Sequence, residues 1–223
     1  MKLGVIGGAG LLGSTSAYLA GMKGYLDEIK LVDIKENLAK CHVMDMGQAF
    51  AAFSKTKVSY AEYKDLGDCD IILISASIPE RKVSDRMEYL RDNMKIVKPI
   101  CEQIKANCKE AVIINATNPV IWKVLGWDRK KILGFNGNDT YRLKWATAEI
   151  TGKEFGKIDG FCIGEHGANK INLYEQMTYD GKALVLSDAD KKAIEDVTAN
   201  FFAEFQALDS GRTSGWTSAV NIE

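Results

Sequence analysis

Met1-Lys2-Leu3-Gly4-Val5-Ile6-Gly7-Gly8-Ala9-Gly10-Leu11-Leu12-Gly13 opens the chain. An apolar run of strand length meets a cluster of glycines, and an apolar helical pattern follows through Leu12, Leu19 and Met22. That order predicts a strand, a tight turn and a helix start. Gly8, Gly10 and Gly13 fit G-x-G-x-x-G, while Gly7, Gly10 and Gly13 fit G-x-x-G-x-x-G. Glycines suit such a turn because a pyrophosphate seated on a helix N-terminus needs close backbone approach. A second strand, Ile29-Lys30-Leu31-Val32-Asp33, ends in an acid twenty residues after Gly13. A carboxylate there would reach the ribose hydroxyls of a dinucleotide. A structural glycine turn with a surface aspartate, or a signal peptide over Lys2 to Gly13, explains fewer of these residues. The stretch also lacks a convincing cleavage site.

Outward from this turn, the composition narrows the function classes. A chain of 223 residues buries a real core as one large domain or two small ones. The net charge of −1 gives no electrostatic reason to expect nucleic acid or a membrane surface as partner. No apolar run reaches transmembrane length. The cysteines, Cys41, Cys69, Cys101, Cys108 and Cys162, are odd in number and form no C-x-x-C. This favours a reducing compartment, the cytoplasm, and argues against a disulfide framework or a metal site. Cys101 and Cys108 share a predicted helix and read as small buried hydrophobes.

Helical and strand patterns then alternate. Asn37 to Ala52 reads as a helix, and His42 in it has apolar neighbours, which suits a structural histidine. Lys57 to Tyr60 reads as a short strand, and Asp70 to Ser75 as a strand covered on both faces. Residues 76–85 are polar and follow a parallel strand, the position where such sheets bind ligands. A long helix over Arg86 to Asn107, with a kink expected at Pro99, precedes the strands Ala111 to Ala116 and Lys131 to Phe135. The rhythm predicts an α/β Rossmann domain, a doubly wound parallel sheet, over residues 1–137. A smaller α+β substrate domain is expected over 138–223. It contains a helix from Thr140 to Thr151, strands at Lys157 to Ile163 and Lys170 to Met177, and a helix capped at Ser187 to Asp190 that reaches Leu208.

The polar residues suited to chemistry lie far downstream of the turn. His166 stands in Gly164-Glu165-His166-Gly167 after an apolar strand, exposed by its glycines. A histidine there suits general acid/base work, or a plain turn. Asp139, in Asn138-Asp139-Thr140-Tyr141-Arg142, can fix the histidine tautomer or cap a helix. Arg142 is three residues on, shares a helix face with Asp139, and carries a fork that fits a carboxylate. Arg86 can polarise a carbonyl from the end of the polar loop. Each also reads as an ordinary surface or helix-end charge; together, downstream of a dinucleotide turn, they point to a reaction.

These motifs, in this order, resemble the lactate/malate dehydrogenase family over essentially the whole chain. The resemblance is carried by Gly7 to Gly13, Asp33, Arg86 to Asn93, Thr117-Asn118-Pro119-Val120, Asp139-x-x-Arg142 and Gly164-Glu165-His166-Gly167. It implies an NAD-dependent oxidoreductase that interconverts a 2-hydroxy and a 2-oxo acid. It implies His166 as proton donor and acceptor, Asp139 as its partner, and Arg86 as the group that stabilises charge on the carbonyl oxygen. Arg142 and Asn118 would bind substrate. Gly7, Gly8, Gly10, Leu11, Leu12, Gly13, Asp33, Asn93, Thr117 and Asn118 would bind NAD. No metal is implied, and a homodimer or homotetramer is expected.

Substrate choice in this family is set on the polar loop. Six residues before Arg86 stands Glu80, which would repel a dicarboxylate. Matching the family's Pro-Arg-Lys pattern instead gives the role to Arg81, next to Lys82, and favours malate and oxaloacetate. Thr213 favours lactate, and a branched 2-hydroxy acid stays open. Family members continue beyond Glu223, so either the sequence is incomplete or its second domain is curtailed. A catalytically silent dinucleotide-binding module is the alternative of another class. An NAD-dependent glycosidase would need metal-ligand chemistry, for which the sequence has no Cys/His constellation.

Overall fold

Strand-forming runs that are apolar at every position need cover on both faces, and the first of them meets that condition at once. In the computed structural model β1 (Lys2–Ile6) lies inside a parallel sheet with a buried residue at all positions but the first. The structure describes residues 1–78, 86–108, 111–117, 121–135, 137–164, 170–208 and 215–222, with the side chains of 86–90, 202 and 206 excepted.

The chain then runs through α1 (Leu11–Lys23), β2 (Glu28–Val32), α2 (Glu36–Ala51), β3 (Lys57–Tyr60) and β4 (Ile71–Ile74). α3 (Arg86–Asn107), β5 (Val112–Asn115), α4 (Trp122–Leu125) and β6 (Ile132–Gly134) complete a six-stranded parallel sheet of order β3-β2-β1-β4-β5-β6. This is the doubly wound Rossmann arrangement, and the order reverses beside β1, at the strand that feeds the glycine turn.

Alternation along the strands sorts the core into two layers. Leu3, Val5, Ile29, Leu31 and Leu73 face one way, against Ala17 of α1 and Met46 and Phe50 of α2. Ile6, Ile72, Ile74 and Ile113 face the other, against Val97, Ile100, Cys101 and Ile104 of α3. α1 and α2 meet closely because Gly21 has no side chain: a Cβ there would stand 2.1 Å from Cζ of Phe50. Cys101 and Cys108 are buried free thiols, each pushed up to about 11 by burial, so they pack as small hydrophobes. α3 runs through Pro99 as one helix.

The remaining elements are α5 (Gly137–Thr151), β7 (Ile158–Asp159), β8 (Cys162–Gly164), β9 (Lys170–Asn172), β10 (Thr178–Tyr179), β11 (Lys182–Ala183), α6 (Asp188–Ala207) and α7 (Trp216–Ile222). Two compact units result: Met1–Phe135 with Thr213–Glu223, and Asn136–Arg212. The final helix, α7, therefore packs with the first unit, although the sequence reading placed it in a continuous second domain. Its approach rests on Gly215, where a Cβ would stand 2.6 Å from Leu11 of α1.

The second unit is α+β. α5 and α6 enclose a core of Leu143, Ala146, Ile158, Cys162, Met177, Leu186 and Ile194. Lys157 to Ile163 does not form the single strand expected. It divides into β7, which pairs with β10, and β8, which pairs with β9. The break falls at Gly160, where a Cβ would stand 2.9 Å from Met177. The expected strand from Lys170 likewise stops at Asn172 and gives way to a 3₁₀ turn over Tyr174–Gln176. α6 starts as expected: Ser187 N donates to Asp190 Oδ2 at 3.0 Å, and Asp190 N donates back to Ser187 Oγ at 3.1 Å. Among the described residues no helix is long and apolar enough to cross a membrane, and no group of three His, Cys, Asp or Glu side chains could hold a metal.

Candidate functional site

In the first unit the site forms at the C-terminal ends of β1, β2, β4 and β5. Gly7 turns the chain with φ of +90°, a left-handed conformation that disfavours any side chain. The N–H groups of Gly7 and Gly8 both donate to the Val32 carbonyl, at 2.9 and 3.1 Å. This fixes the turn to the end of β2. A Cβ on Gly7 would stand 2.6 Å from the backbone nitrogen of Ala76, and one on Gly13 would stand 2.3 Å from the Gly7 carbonyl. A Cβ on Gly10 would meet only the Gly7 carbonyl, at 3.3 Å. The tight turn thus belongs to Gly7 and the close helix–strand contact to Gly13. Gly10 is the least crowded of the three by the protein's own atoms. Of the two glycine registers legible in the sequence, the one through Gly7 matches these duties.

Gly10 caps α1 without a side-chain hydrogen bond, and the first turn of α1 carries no acidic residue. The first-turn N–H groups of Leu11, Leu12 and Gly13 therefore face an end of the helix suited to an anion. Asp33 lies beside them. Its Oδ2 accepts from Ala9 N at 2.9 Å, and its Oδ1 accepts from Lys35 N at 2.8 Å. Together the open Gly10 position, the uncapped helix end and the fixed carboxylate fit the phosphates and ribose of a dinucleotide.

Four further polar groups stitch the strand ends. Thr117 is buried and its hydroxyl donates to the Ala76 carbonyl at 2.8 Å. Asn93, also buried, accepts from Ile78 N at 3.1 Å and so holds the root of the polar loop. Ser75 Oγ donates to the Ile6 carbonyl at 3.0 Å. Asn115 donates through Nδ2 to the Thr117 carbonyl at 2.8 Å. The sequence reading named Thr117 and Asn93 but missed Ser75 and Asn115. Each of these ends a buried apolar run with a polar residue, which was the available signal.

The second unit holds the other described pair. Asp139 and Arg142 lie in the first turns of α5, both buried, with Arg142 Nη1 3.8 Å from Asp139 Oδ1. Burial pulls the Arg142 guanidinium below its ordinary value, while Asp139 acts in the opposite direction. The Phe201 ring of α6 lies 5.9 Å from the guanidinium carbon, within cation–π range. Thr140 Oγ1 accepts from Cys162 N at 3.0 Å and ties the head of α5 to β8. β8 ends at Gly164, whose φ is +94°. Lys170 of β9 also reaches the Asp139 carboxylate, 4.0 Å from Oδ1, and no sequence motif marks it. His166, Asn118, Arg81 and Thr213, and the side chain of Arg86, lie outside the described residues.

Residues 1–134 match the model of a family described as lactate/malate dehydrogenase, NAD binding domain. The L-lactate dehydrogenase of Mycoplasmopsis pulmonis (strain UAB CTIP) is 33% identical over 187 residues, covering 79% of this chain and 59% of its own length. The crystal structure of Cryptosporidium parvum malate dehydrogenase superposes with a TM-score of 0.91 at 25% identity, covering 99% of this chain and 75% of that one. The lactate dehydrogenase of the same organism, crystallised with lactic acid and nicotinamide adenine dinucleotide, gives a TM-score of 0.90 at 26% identity, covering 99% and 74%. The chain spans rather more than half the length of the curated relatives it matches.

Proposed function

We propose that this chain, which belongs to the lactate/malate dehydrogenase family, is an NAD-dependent dehydrogenase that interconverts a small 2-hydroxy acid and its 2-oxo acid. The observation that carries this reading is the Asp33 carboxylate held on Ala9 N beside an open, uncapped glycine turn. Asp33 favours NAD, since a carboxylate repels the 2′-phosphate of NADP. Gly7, Gly8, Gly10, Leu11, Leu12, Gly13, Asp33, Asn93, Thr117 and Asn118 would hold the cofactor. When bound, its reduced nicotinamide supplies a hydride to the 2-oxo carbon.

The chain's own residues do the rest. His166, protonated, gives its proton to the carbonyl oxygen, and Asp139 holds the imidazole in the required tautomer. Arg142 pairs with the substrate carboxylate, and Asn118 fixes the substrate's orientation. Arg86 stabilises the charge that grows on the oxygen. Buried Asp139 and Arg142, on consecutive turns of one helix, support these assignments. Oxaloacetate and malate are the first substrate pair, on Arg81 and Lys82 of the polar loop. Pyruvate and lactate are the second, favoured by Thr213 and by relatives that are L-lactate dehydrogenases. Five free thiols suit a reducing compartment, the cytoplasm. A homodimer or homotetramer is the expected assembly, to be read by sedimentation.

NADH oxidation by the full chain against oxaloacetate, pyruvate and branched 2-oxo acids tests the reading. His166→Asn is expected to keep NADH binding and lose most turnover. Arg81→Gln is expected to raise pyruvate turnover relative to oxaloacetate. NADH binding with no turnover of any acid would replace the enzyme with a silent dinucleotide-binding module.

A further inference from the structure

The glycine turn is pinned on two sides. On the β2 side, the N–H groups of Gly7 and Gly8 donate to the Val32 carbonyl. On the β4 side stands Ser75, half-buried just past the end of that strand. Its single hydroxyl proton is shared by two successive carbonyls, that of Ile6 at 3.0 Å and that of Gly7 at 3.4 Å. The positive φ of Gly7 bends the chain between them. Two carbonyl dipoles held on one side of a bend repel, and a hydroxyl donor between them offsets that repulsion. The Gly7 carbonyl also accepts from Gly10 N at 3.0 Å, and Gly10 is the cap of α1. Ser75 Oγ stands close to the first turn of that helix: a Cβ on Gly13 would be 2.7 Å from it. One hydroxyl therefore holds the start of the turn and, across the Gly7 carbonyl, the start of α1.

We propose that Ser75 is a positioning residue for the dinucleotide's pyrophosphate. The proposal rests on the reading of the glycine turn as the seat of NAD. Ser75 acts through the Gly7 carbonyl. It fixes the peptide that receives Gly10 N, and Gly10 in turn sets the direction of the first-turn N–H groups of Leu11, Leu12 and Gly13. An anion gains most from donors already aimed at it, because little ordering cost is then met on binding. Removing the hydroxyl leaves the two carbonyls side by side without their shared donor and lets the turn sample other orientations. Adenosine reaches Asp33 but carries no phosphate, so its binding does not depend on Ser75.

The test uses the full chain with Ser75→Ala and Ser75→Thr, and titrates NADH by fluorescence and adenosine by calorimetry. Ser75→Ala should raise the Kd of NADH about threefold to tenfold, the effect of one lost hydrogen bond, and leave that of adenosine within about twofold. Ser75→Thr, which keeps a hydroxyl, should restore NADH binding. An unchanged NADH Kd in Ser75→Ala overturns the proposal, and so does an equal loss for both ligands, which a general loosening of the fold would give. Should Ser75→Ala not fold, Ser75→Cys, a much weaker donor, carries the same expectation. If the wild-type chain binds no NADH, the dinucleotide reading fails separately, and amide hydrogen exchange in the ligand-free chain decides Ser75. The Gly10 amide, held on the Gly7 carbonyl, should exchange faster in Ser75→Ala than in the wild type; an unchanged rate overturns the proposal.

Discussion

Asp33 Oδ2 accepts a hydrogen bond from the backbone nitrogen of Ala9 at 2.9 Å, which ties the end of β2 to the middle of the glycine turn. One carboxylate thus serves the fold and the proposed cofactor site together. Its second oxygen accepts from Lys35 N, so the side chain is fixed before any ligand arrives.

Asp33→Ala is expected to weaken NADH binding about tenfold to a hundredfold, the cost of losing hydrogen bonds to a charged acceptor. NADPH binding should change far less, because the same carboxylate repels the 2′-phosphate. Fluorescence titration with both cofactors reads the ratio. An unchanged NADH-to-NADPH preference would remove Asp33 from the site.

The glycines of the turn should separate by readout. In Gly13→Ala a methyl group would meet the Gly7 carbonyl at 2.3 Å and Ser75 Oγ at 2.7 Å. The Ser75 hydroxyl can rotate away, but the backbone carbonyl cannot yield without shifting the turn after β1, so the expected loss is about 1–3 kcal/mol in urea unfolding. Gly10→Ala meets backbone only at 3.3 Å and should cost less than about 1 kcal/mol, chiefly through poorer helix capping. It should nevertheless weaken NADH binding, because its methyl group fills the open side of the turn. Equal stability losses in the two variants would contradict this division of roles.

Much of the first unit was legible because its signals are local and periodic. Buried strands such as Ile71–Ile74 read as continuous apolar runs, and the turn after β1 announces itself in glycine. The second unit was harder to read because its strands are two or three residues long, too short for any period to show. One expected strand divides into two at Gly160, whose missing side chain makes room for a distant one, Met177. Lys170 was invisible for the same cause: only folding brings β9 to the head of α5. α7 packs on the first unit through contacts from the far end of the chain, which no local pattern encodes.

The acid limb of stability should carry the mark of Asp68. Hydrogen bonds from Lys2 and Lys30, the latter 2.6 Å from Oδ1, hold its carboxyl down to about 2. A depressed carboxyl contributes stability that is complete above its unfolded value near 4 and is lost as pH falls through about 2. Asp68→Asn lacks that contribution. Its thermal midpoint should lie below that of the wild type at pH 5 and converge with it by pH 2. The side chain is half exposed, so solvent screening keeps the neutral-pH difference at about 1 kcal/mol or below, and salt should shrink it. A gap that stays constant from pH 5 to pH 2 would mean that the lysine pairs contribute nothing.

Arg142 separates charge from geometry. It is buried, 3.8 Å from Asp139 and under the Phe201 ring, so burial costs it solvation that a purely structural cation would recover only in part. Under the proposed function that cost is offset when a substrate carboxylate takes both arms of the guanidinium. Arg142→Lys keeps the charge and the attraction to Asp139 but loses the planar fork. The KM for the 2-oxo acid should therefore rise about tenfold to a hundredfold, with a smaller fall in kcat and no change in NADH affinity. A loss of substrate affinity with the melting temperature preserved assigns Arg142 to the carboxylate. A fall in melting temperature with KM within about twofold of the wild type would make it a packing residue of α5 and α6, and the proposed carboxylate anchor would have to be sought elsewhere.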